Sequence, residues 1–399
     1  MNLCKQNLLL IFIFLIGVSG CTYIEAKPVK YLKSNSGSKH KQAHQDYINN
    51  FSDTELMSLN DHKVDSCALD GANNIGQILI LGDSHVASEN FYEMYKNPPS
   101  LFWIPPGNRL SHGMQTGNVT TTKNLYTKRS DCKNEPCYLG GFDATAIDKD
   151  AAYIFKLKNY EPGTKLNACL SFSDAENDSN TLKMALLNTE SPLAFKIQKD
   201  NKFYGGVLKL EDTGSPLTVI GMNGAKNEDI LNWILSSKEI IKLINPKYII
   251  LVIGTNDIYD KPYNQNLIYE QISSSINELQ QAVPTTKIVL VSPPPLVKVL
   301  SKKIKTKKRI KTRIVNTCKA LAQDFQEIEN DYIKLGLNKN LIFYNWREQS
   351  SDRCNDYIQG TAEQWKPDGV HLTSEGYKIF HKKLFDYIYK ETQDEIFNY

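Results

Sequence analysis

The chain has 399 residues, 41% of them hydrophobic, which is enough apolar material for two domains or one enlarged one. Its formal net charge of +3 carries no acidic or basic excess of the kind that draws a protein to nucleic acid. No internal repeat divides it.

The first feature in chain order is "LLLIFIFLIGV", Leu8 to Val18, behind a single Lys5. The run is too short to span a bilayer comfortably and reads as the core of a signal peptide. Val18-Ser19-Gly20-Cys21 resembles a bacterial lipobox, and cleavage before Cys21 would leave that cysteine to be lipidated. The plainer alternative is an ordinary signal peptide that happens to contain a cysteine. We expect residues 1–20 to be a lipoprotein signal and 21–60 a tether, because "KPVKYLKSNSGSKHKQAHQ" has little apolar surface to bury. No later segment has the length and apolarity of a transmembrane helix.

Beyond Cys4 and Cys21 the cysteines are Cys67, Cys132, Cys137, Cys169, Cys318 and Cys354, an even set that permits disulfides in an exported chain. Cys132 with Cys137 and Cys318 with Cys354 are plausible pairs among many possible ones. No C-x-x-C or H-E-x-x-H spacing points to a metal, and no cofactor is expected.

"QILILG" predicts a buried strand that ends in Gly82-Asp83-Ser84-His85, followed by a helical pattern. Residues 98–215 break into short alternating runs such as "YIFKLK", "NACLSFS" and "AFKIQ", punctuated by Gly, Asn, Asp and Pro, which predicts an inserted β-sandwich. From 216 onward strands alternate with helices: "LTVIGM", "NEDILNWILSSKEIIKLI", "KYIILVIG", "NLIYEQISSSINELQQAV", "KIVLVSPPP", "RIVNTCKALAQDFQEIENDYIKL", "NLIFYN" and "TSEGYKIFHKKLFDYIYKE". That alternation predicts a mostly parallel α/β sheet covered on both faces. Its carboxyl edge, where sites form in open α/β sheets, gathers four blocks: the Ser84 turn, Gly221-Met222-Asn223-Gly224-Ala225, Gly254-Thr255-Asn256-Asp257, and Asp368-Gly369-Val370-His371.

Singly each block is weak. Ser84 could be only a helix N-cap, Asn256 a turn residue and His371 a helix-entry histidine. Together and in this order they resemble the SGNH (GDSL-type) esterase superfamily. The resemblance implies a three-layer, flavodoxin-like parallel sheet over 61–97 and 216–399, interrupted by the sandwich at 98–215. The G-x-S-x-G elbow of other hydrolases is absent, since Val86 stands where its second glycine would be.

The residue types suit acyl transfer. A serine hydroxyl needs a base to become a nucleophile, which would be His371; Asp368, three residues earlier, would orient the imidazole and stabilise its cation. The resemblance assigns the oxyanion hole to the Ser84 N–H, the Gly224 N–H and the Asn256 side-chain amide. His85, Asn223 and Trp365 are candidate substrate contacts, Trp365 because it lies three residues before Asp368.

"GDSHVAS", "GMNGA", "IGTND" and "DGVHLTSEGY", around a β-rich insertion, look like the Ape-type peptidoglycan O-acetylesterases. That resemblance implies a carbohydrate-binding-module-like insertion and removal of the acetyl group from the C6 hydroxyl of N-acetylmuramic acid. The expected partners are peptidoglycan glycan strands and, through Cys21, a membrane; the protein is expected to be a monomer. Thr22 replaces the Asp that retains some lipoproteins at the inner membrane, so a periplasm-facing outer-membrane anchor is expected. Trp103, Tyr126, Tyr204 and Trp365 could stack on sugars, although core packing is the plainer reading of any one. "GNRLSHGMQTGNV" (107–119) and "GGFDATA" (140–146) could line a sugar groove or be plain loops. The eight Lys or Arg of "KKIKTKKRIKTR", 302–313, could meet anionic polymer but read first as a solvated helix start. Three rivals share these motifs: a polysaccharide O-acetyltransferase, a non-catalytic glycan-binding lipoprotein, and a broad carboxylesterase or thioesterase.

Overall fold

The structure, a computed structural model, describes residues 56–65, 67, 78–87, 101–106, 117–130, 137–157, 163–175, 178–210, 217–259, 264–294, 330–336, 341–346 and 370–398. Strands β1 (Met57–Ser58) and β2 (Lys63–Val64) flank a 3-10 turn, and β3 (Ile78–Gly82) follows. Nine strands come next: β4 (Leu101–Ile104), β5 (Gly117–Thr121), β6 (Leu125–Arg129), β7 (Phe142–Ala146), β8 (Ala151–Leu157), β9 (Lys165–Asp174), β10 (Asp178–Glu190), β11 (Leu193–Ile197) and β12 (Lys202–Leu210). The chain then runs through β13 (Leu217–Gly221), α1 (Asn227–Ser236), α2 (Lys238–Ile244), β14 (Tyr248–Val252), α3 (Thr255–Tyr259), α4 (Gln265–Ala282), β15 (Lys287–Val291), β16 (Ile342–Tyr344) and α5 (Ser374–Thr392).

Five of these strands form a parallel sheet in the order β13-β3-β14-β15-β16. Counted along the chain this is the flavodoxin-like order, with the first strand between the second and third. The central strands read as unbroken apolar runs because both faces are buried. Leu79, Leu81, Ile249 and Leu251 pack against Ile230, Trp233 and Ile234 of α1, Ile240 and Ile241 of α2, and Ile272 and Ile276 of α4. The alternate residues, Ile78, Ile80, Tyr248 and Ile250, pack against Tyr377, Phe380, Leu384 and Ile388 of α5. Period-two alternation thus feeds two helical layers, giving three layers in all.

The strands between β3 and β13, joined by β1 and β2 from before β3, build two further sheets, β1-β11-β8-β5 and β2-β10-β9-β12-β7-β6, with β4 added on β12. They face each other. Tyr153 on β8 meets Phe203 on β12 at 5.1 Å between ring centroids, and Phe195 on β11 meets Phe203 at 5.2 Å. These rings belong to one buried core drawn from both sheets. The larger sheet also packs on the parallel sheet's helical layer, since Leu101, Trp103, Cys169 and Val207 share a core with Met222, Trp233 and Ile220.

Two assignments made from sequence shift here. β1 pairs with β11 and β2 with β10, so 57–64 join the inserted sheets rather than a tether ending at 60 or a hydrolase segment starting at 61. Two-residue strands are too short to show alternation, and only the sheet edges they complete define them. A disulfide joins Cys67 to Cys169, fastening the segment before β3 to β9, and Cys137 is disulfide-bonded as well. The pairs considered from sequence involve Cys132, Cys318 and Cys354, which lie outside the described residues. Also outside them are residues 1–55, with Cys21, and the basic run 302–313. The helix expected after Ser84 is described only to Ala87. Among the described residues no helix is long and apolar enough to cross a membrane.

Candidate active site

The register of the parallel sheet sets the site. Gly82 of β3 is level with Gly221 of β13 and Val252 of β14, so the loops that follow all leave the same edge side by side. Gly82 must lack a side chain: a Cβ there would collide with the Val252 carbonyl and the Val86 side chain. The chain then turns tightly, with the Val86 and Ala87 N–H groups donating to the Asp83 carbonyl at 3.1 and 3.0 Å. This turn lifts Ser84 to the edge, where it remains 7% exposed.

His371 reaches the serine from the segment that leads into α5. Its Nε2 lies 2.9 Å from Ser84 Oγ. With Nε2 unprotonated the ring accepts the hydroxyl proton, as a general base must. His371 stands two residues before the N-cap of α5, where Thr373 Oγ1 accepts from the Gly376 N–H at 3.1 Å. Asp368 and Trp365, assigned from sequence as the orienting carboxylate and a substrate contact, lie outside the described residues.

The second wall is the loop between β13 and α1. Gly224 adopts φ +75°, a left-handed conformation that favours glycine, and Asn223 beside it is exposed. Asn256, at the start of α3, donates through Nδ2 to the Ala225 carbonyl at 2.8 Å. One of its two amide protons is used there. Asp257 Oδ2 accepts the Asn227 N–H at 3.0 Å, tying α3 to the first turn of α1.

His85 is corrected. It is 0% exposed, so it cannot touch a substrate as the sequence reading had it. Its backbone N–H donates to Asp83 Oδ1 at 2.9 Å and its Nδ1 lies 3.2 Å from the Tyr377 hydroxyl. Its ring lies 5.2 Å from that of Trp346 and 5.6 Å from that of His371, with Trp346 stacked on Phe380. It therefore packs beneath the serine–histidine pair. Of the aromatics considered for sugar stacking, Trp103 and Tyr204 are buried and Tyr126 on β6 is 54% exposed.

Two carboxyls beneath the site are unusual. Burial pushes Asp83 up to about 7, against hydrogen bonds from the His85 N–H and from Thr255 that favour its charge. Burial likewise pushes Asp257 up to about 6. Among the described residues no cluster of three or more His, Cys, Asp and Glu could hold a metal ion.

A serine–histidine pair at the carboxyl edge of a flavodoxin-ordered sheet defines a serine hydrolase of the three-layer α/β class. Residues 196–384 match the family model for GDSL-like lipase/acylhydrolase. The matched stretch holds Gly224, Asn256 and His371; Ser84 precedes it and enters the same sheet through β3. No curated protein matches the chain. A solved peptidoglycan O-acetylesterase is similar in fold, with a TM-score of 0.56 at 17% identity over 81% of this chain and 93% of its own. A GDSL-like lipase from Bacteroides thetaiotaomicron gives a TM-score of 0.30 at 21% identity, over 44% of this chain and 76% of its own. A carbohydrate esterase family 3 protein from Talaromyces cellulolyticus gives 0.29 at 15% identity, over 45% and 73%. The resemblance read from the four blocks thus agrees with the family model that matches, and the solved O-acetylesterase is similar in fold.

Proposed function

We propose that this protein is a serine esterase that removes O-acetyl groups from peptidoglycan, at C6 of N-acetylmuramic acid. The observation that carries the reading is the 2.9 Å contact between Ser84 Oγ and His371 Nε2, at the edge where the Gly224 and Asn256 loops emerge. Ser84 Oγ attacks the acetyl carbonyl carbon as His371 takes the hydroxyl proton. The Ser84 and Gly224 N–H groups and the second Asn256 amide proton meet the oxyanion. The bond from the acetyl carbon to the sugar O6 then breaks, and His371 returns its proton to that oxygen. Water, deprotonated by His371, attacks acetyl-Ser84; the acyl carbon–Oγ bond breaks, His371 returns the proton to Ser84 Oγ, and acetate leaves. Asp368 orients the imidazole throughout.

The polymer assignment is supported by the likeness to the solved O-acetylesterase, whose 81% coverage of this chain requires the inserted sheets as well as the parallel one. In this reading those sheets serve as a carbohydrate-binding module, and exposed Tyr126 is suited to stack on a sugar ring. Export agrees with the Cys67–Cys169 disulfide, a bond of oxidising compartments. A lipid on Cys21 would hold the enzyme on a membrane of the cell envelope, facing the glycan.

The test is acetate release from O-acetylated peptidoglycan by the wild type and by Ser84→Ala, with and without a free glycan acceptor. We expect release by the wild type alone, indifferent to acceptor, and a folded but inactive Ser84→Ala. Acetyl transferred to the acceptor with little free acetate would replace hydrolysis by transfer. No reaction from a folded wild type would remove peptidoglycan as the substrate.

A further inference from the structure

The inserted sheets reach into the oxyanion loop. Arg129, the last residue of β6, extends its guanidinium over Gly224, and Nη2 donates to the Gly224 carbonyl at 3.4 Å and to Asp229 Oδ2 at 3.1 Å. Asp229 lies in the first turn of α1, and the same oxygen accepts the Lys226 N–H at 2.9 Å. One side chain from the insertion therefore holds both ends of the segment that runs from Gly224 into α1.

The rest of that segment is held from the parallel sheet. The Ala225 N–H donates to the Met222 carbonyl at 3.1 Å, Asn256 holds the Ala225 carbonyl, and Asp257 holds the Asn227 N–H. Gly224 is the weak link, because a glycine at φ +75° has no Cβ to restrict its rotation. A hydrogen bond on its carbonyl restrains ψ and hence the path of the loop. Beside β6, the turn at Gly141 packs against Met222 and Trp233 so tightly that a Cβ would come within 2.5 Å of Met222 Sδ. The Leu139 N–H donates to Ser237 Oγ at 3.1 Å. The strand that carries Arg129 is thus seated on the element it would steer.

We propose that Arg129 is a positioning residue for the oxyanion hole, supplied to the hydrolase sheet by the inserted sheets. The proposal rests on the esterase reading of Ser84 and Gly224 but not on the identity of the acetylated polymer. Its ion pair with Asp229 offsets the guanidinium charge, so the contribution is orientation of the loop rather than attraction of an anionic substrate. The pair is also solvated, with the Arg129 side chain 45% exposed, so it adds little to stability. A preorganised donor, by contrast, loses effect steeply when its aim loosens.

The test is steady-state hydrolysis of p-nitrophenyl acetate by the full chain as wild type, Arg129→Ala and Arg129→Lys. This substrate is too small to need a polymer-binding surface. Arg129→Ala should lower kcat about 10- to 100-fold with KM nearly unchanged, a smaller loss than deleting an oxyanion donor outright at the upper end. Its thermal midpoint should stay close to wild type. Arg129→Lys should recover part of kcat, and millimolar guanidinium should raise the Arg129→Ala rate without raising that of the wild type. An unchanged kcat overturns the proposal. So does a raised KM with kcat retained, which would mark a substrate contact, or a loss that tracks unfolding and is rescued by neither lysine nor guanidinium. A wild type that cleaves the aryl acetate but not O-acetylated peptidoglycan refutes only the polymer assignment; one that cleaves neither removes the oxyanion hole and Arg129's role with it.

Discussion

At the scale of the residue, the Asn256 amide places one proton on the Ala225 carbonyl at 2.8 Å, and the proposed mechanism gives the other to the oxyanion. Asn256→Ala should therefore lower kcat on an acetyl ester by about 10² to 10³, the usual loss of one oxyanion donor. Steady-state kinetics on the folded variant checks it, and an Asn256 variant with wild-type kcat would remove the role. The placement of Ser84, Gly224, Asn256 and His371 at one edge was legible in the sequence, because each stands just past a strand end or before a capped helix, where local pattern dictates position. His85 was not. Its neighbours Tyr377, Trp346 and His371 are remote in sequence, and nothing around position 85 records that Tyr377 accommodates its ring. Arg129 escaped for the same reason, since its partners Gly224 and Asp229 lie about a hundred residues away in another sheet system.

At the scale of the element, the parallel sheet was legible because burial on both faces writes itself as continuous apolar runs between amphipathic helices. The inserted strands were legible as a class, through their alternation, but not as a pairing order. β12 sits between β9 and β7, with β4 added, and no local signal encodes such non-consecutive neighbours. The short β1 and β2 were invisible for want of length. What holds this N-terminal approach to the inserted sheets covalently is the Cys67–Cys169 bond, whose sequence separation is 102. Closing so long a loop restricts the unfolded chain, so replacing both cysteines by serine should lower the unfolding free energy by about 2–5 kcal/mol. Urea denaturation of the double variant against wild type, with Cys137 left intact, measures it. Equal midpoints would mean that β2 on β10 and the surrounding core hold this segment without the crosslink.

At the scale of the whole molecule, the parallel sheet and the larger inserted sheet meet at one edge, and the structure keeps acidic groups beneath it out of water. Asp83 is enclosed by β3, the Val252 carbonyl and Thr255, and burial holds its carboxyl at about 7. Asp257, between α3 and α1, is held at about 6 by the same cause. In the unfolded chain both titrate near the ordinary aspartate value of about 3.9. From about pH 4 to pH 7 the folded state therefore binds more protons than the unfolded one, and stability falls as pH rises. At about 1.4 kcal/mol per unit, the Asp83 charge alone costs on the order of 4 kcal/mol once fully formed. The opposite trend holds for an ordinary salt-bridged carboxylate, whose stabilisation is lost on acidification, so the two cases are distinguishable. We expect the urea midpoint of the wild type to be higher at pH 5 than at pH 8. Asp83→Asn keeps an acceptor for the His85 N–H at 2.9 Å but cannot charge, and it should remove most of that slope. A wild type that gains stability from pH 5 to pH 8, or an Asp83→Asn protein with an unaltered slope, would show that the buried carboxyl is not what links the active-site floor to pH. While protonated, below about pH 7, Asp83 places no full negative charge beside the oxyanion that the proposed attack by Ser84 would form on the acetyl group.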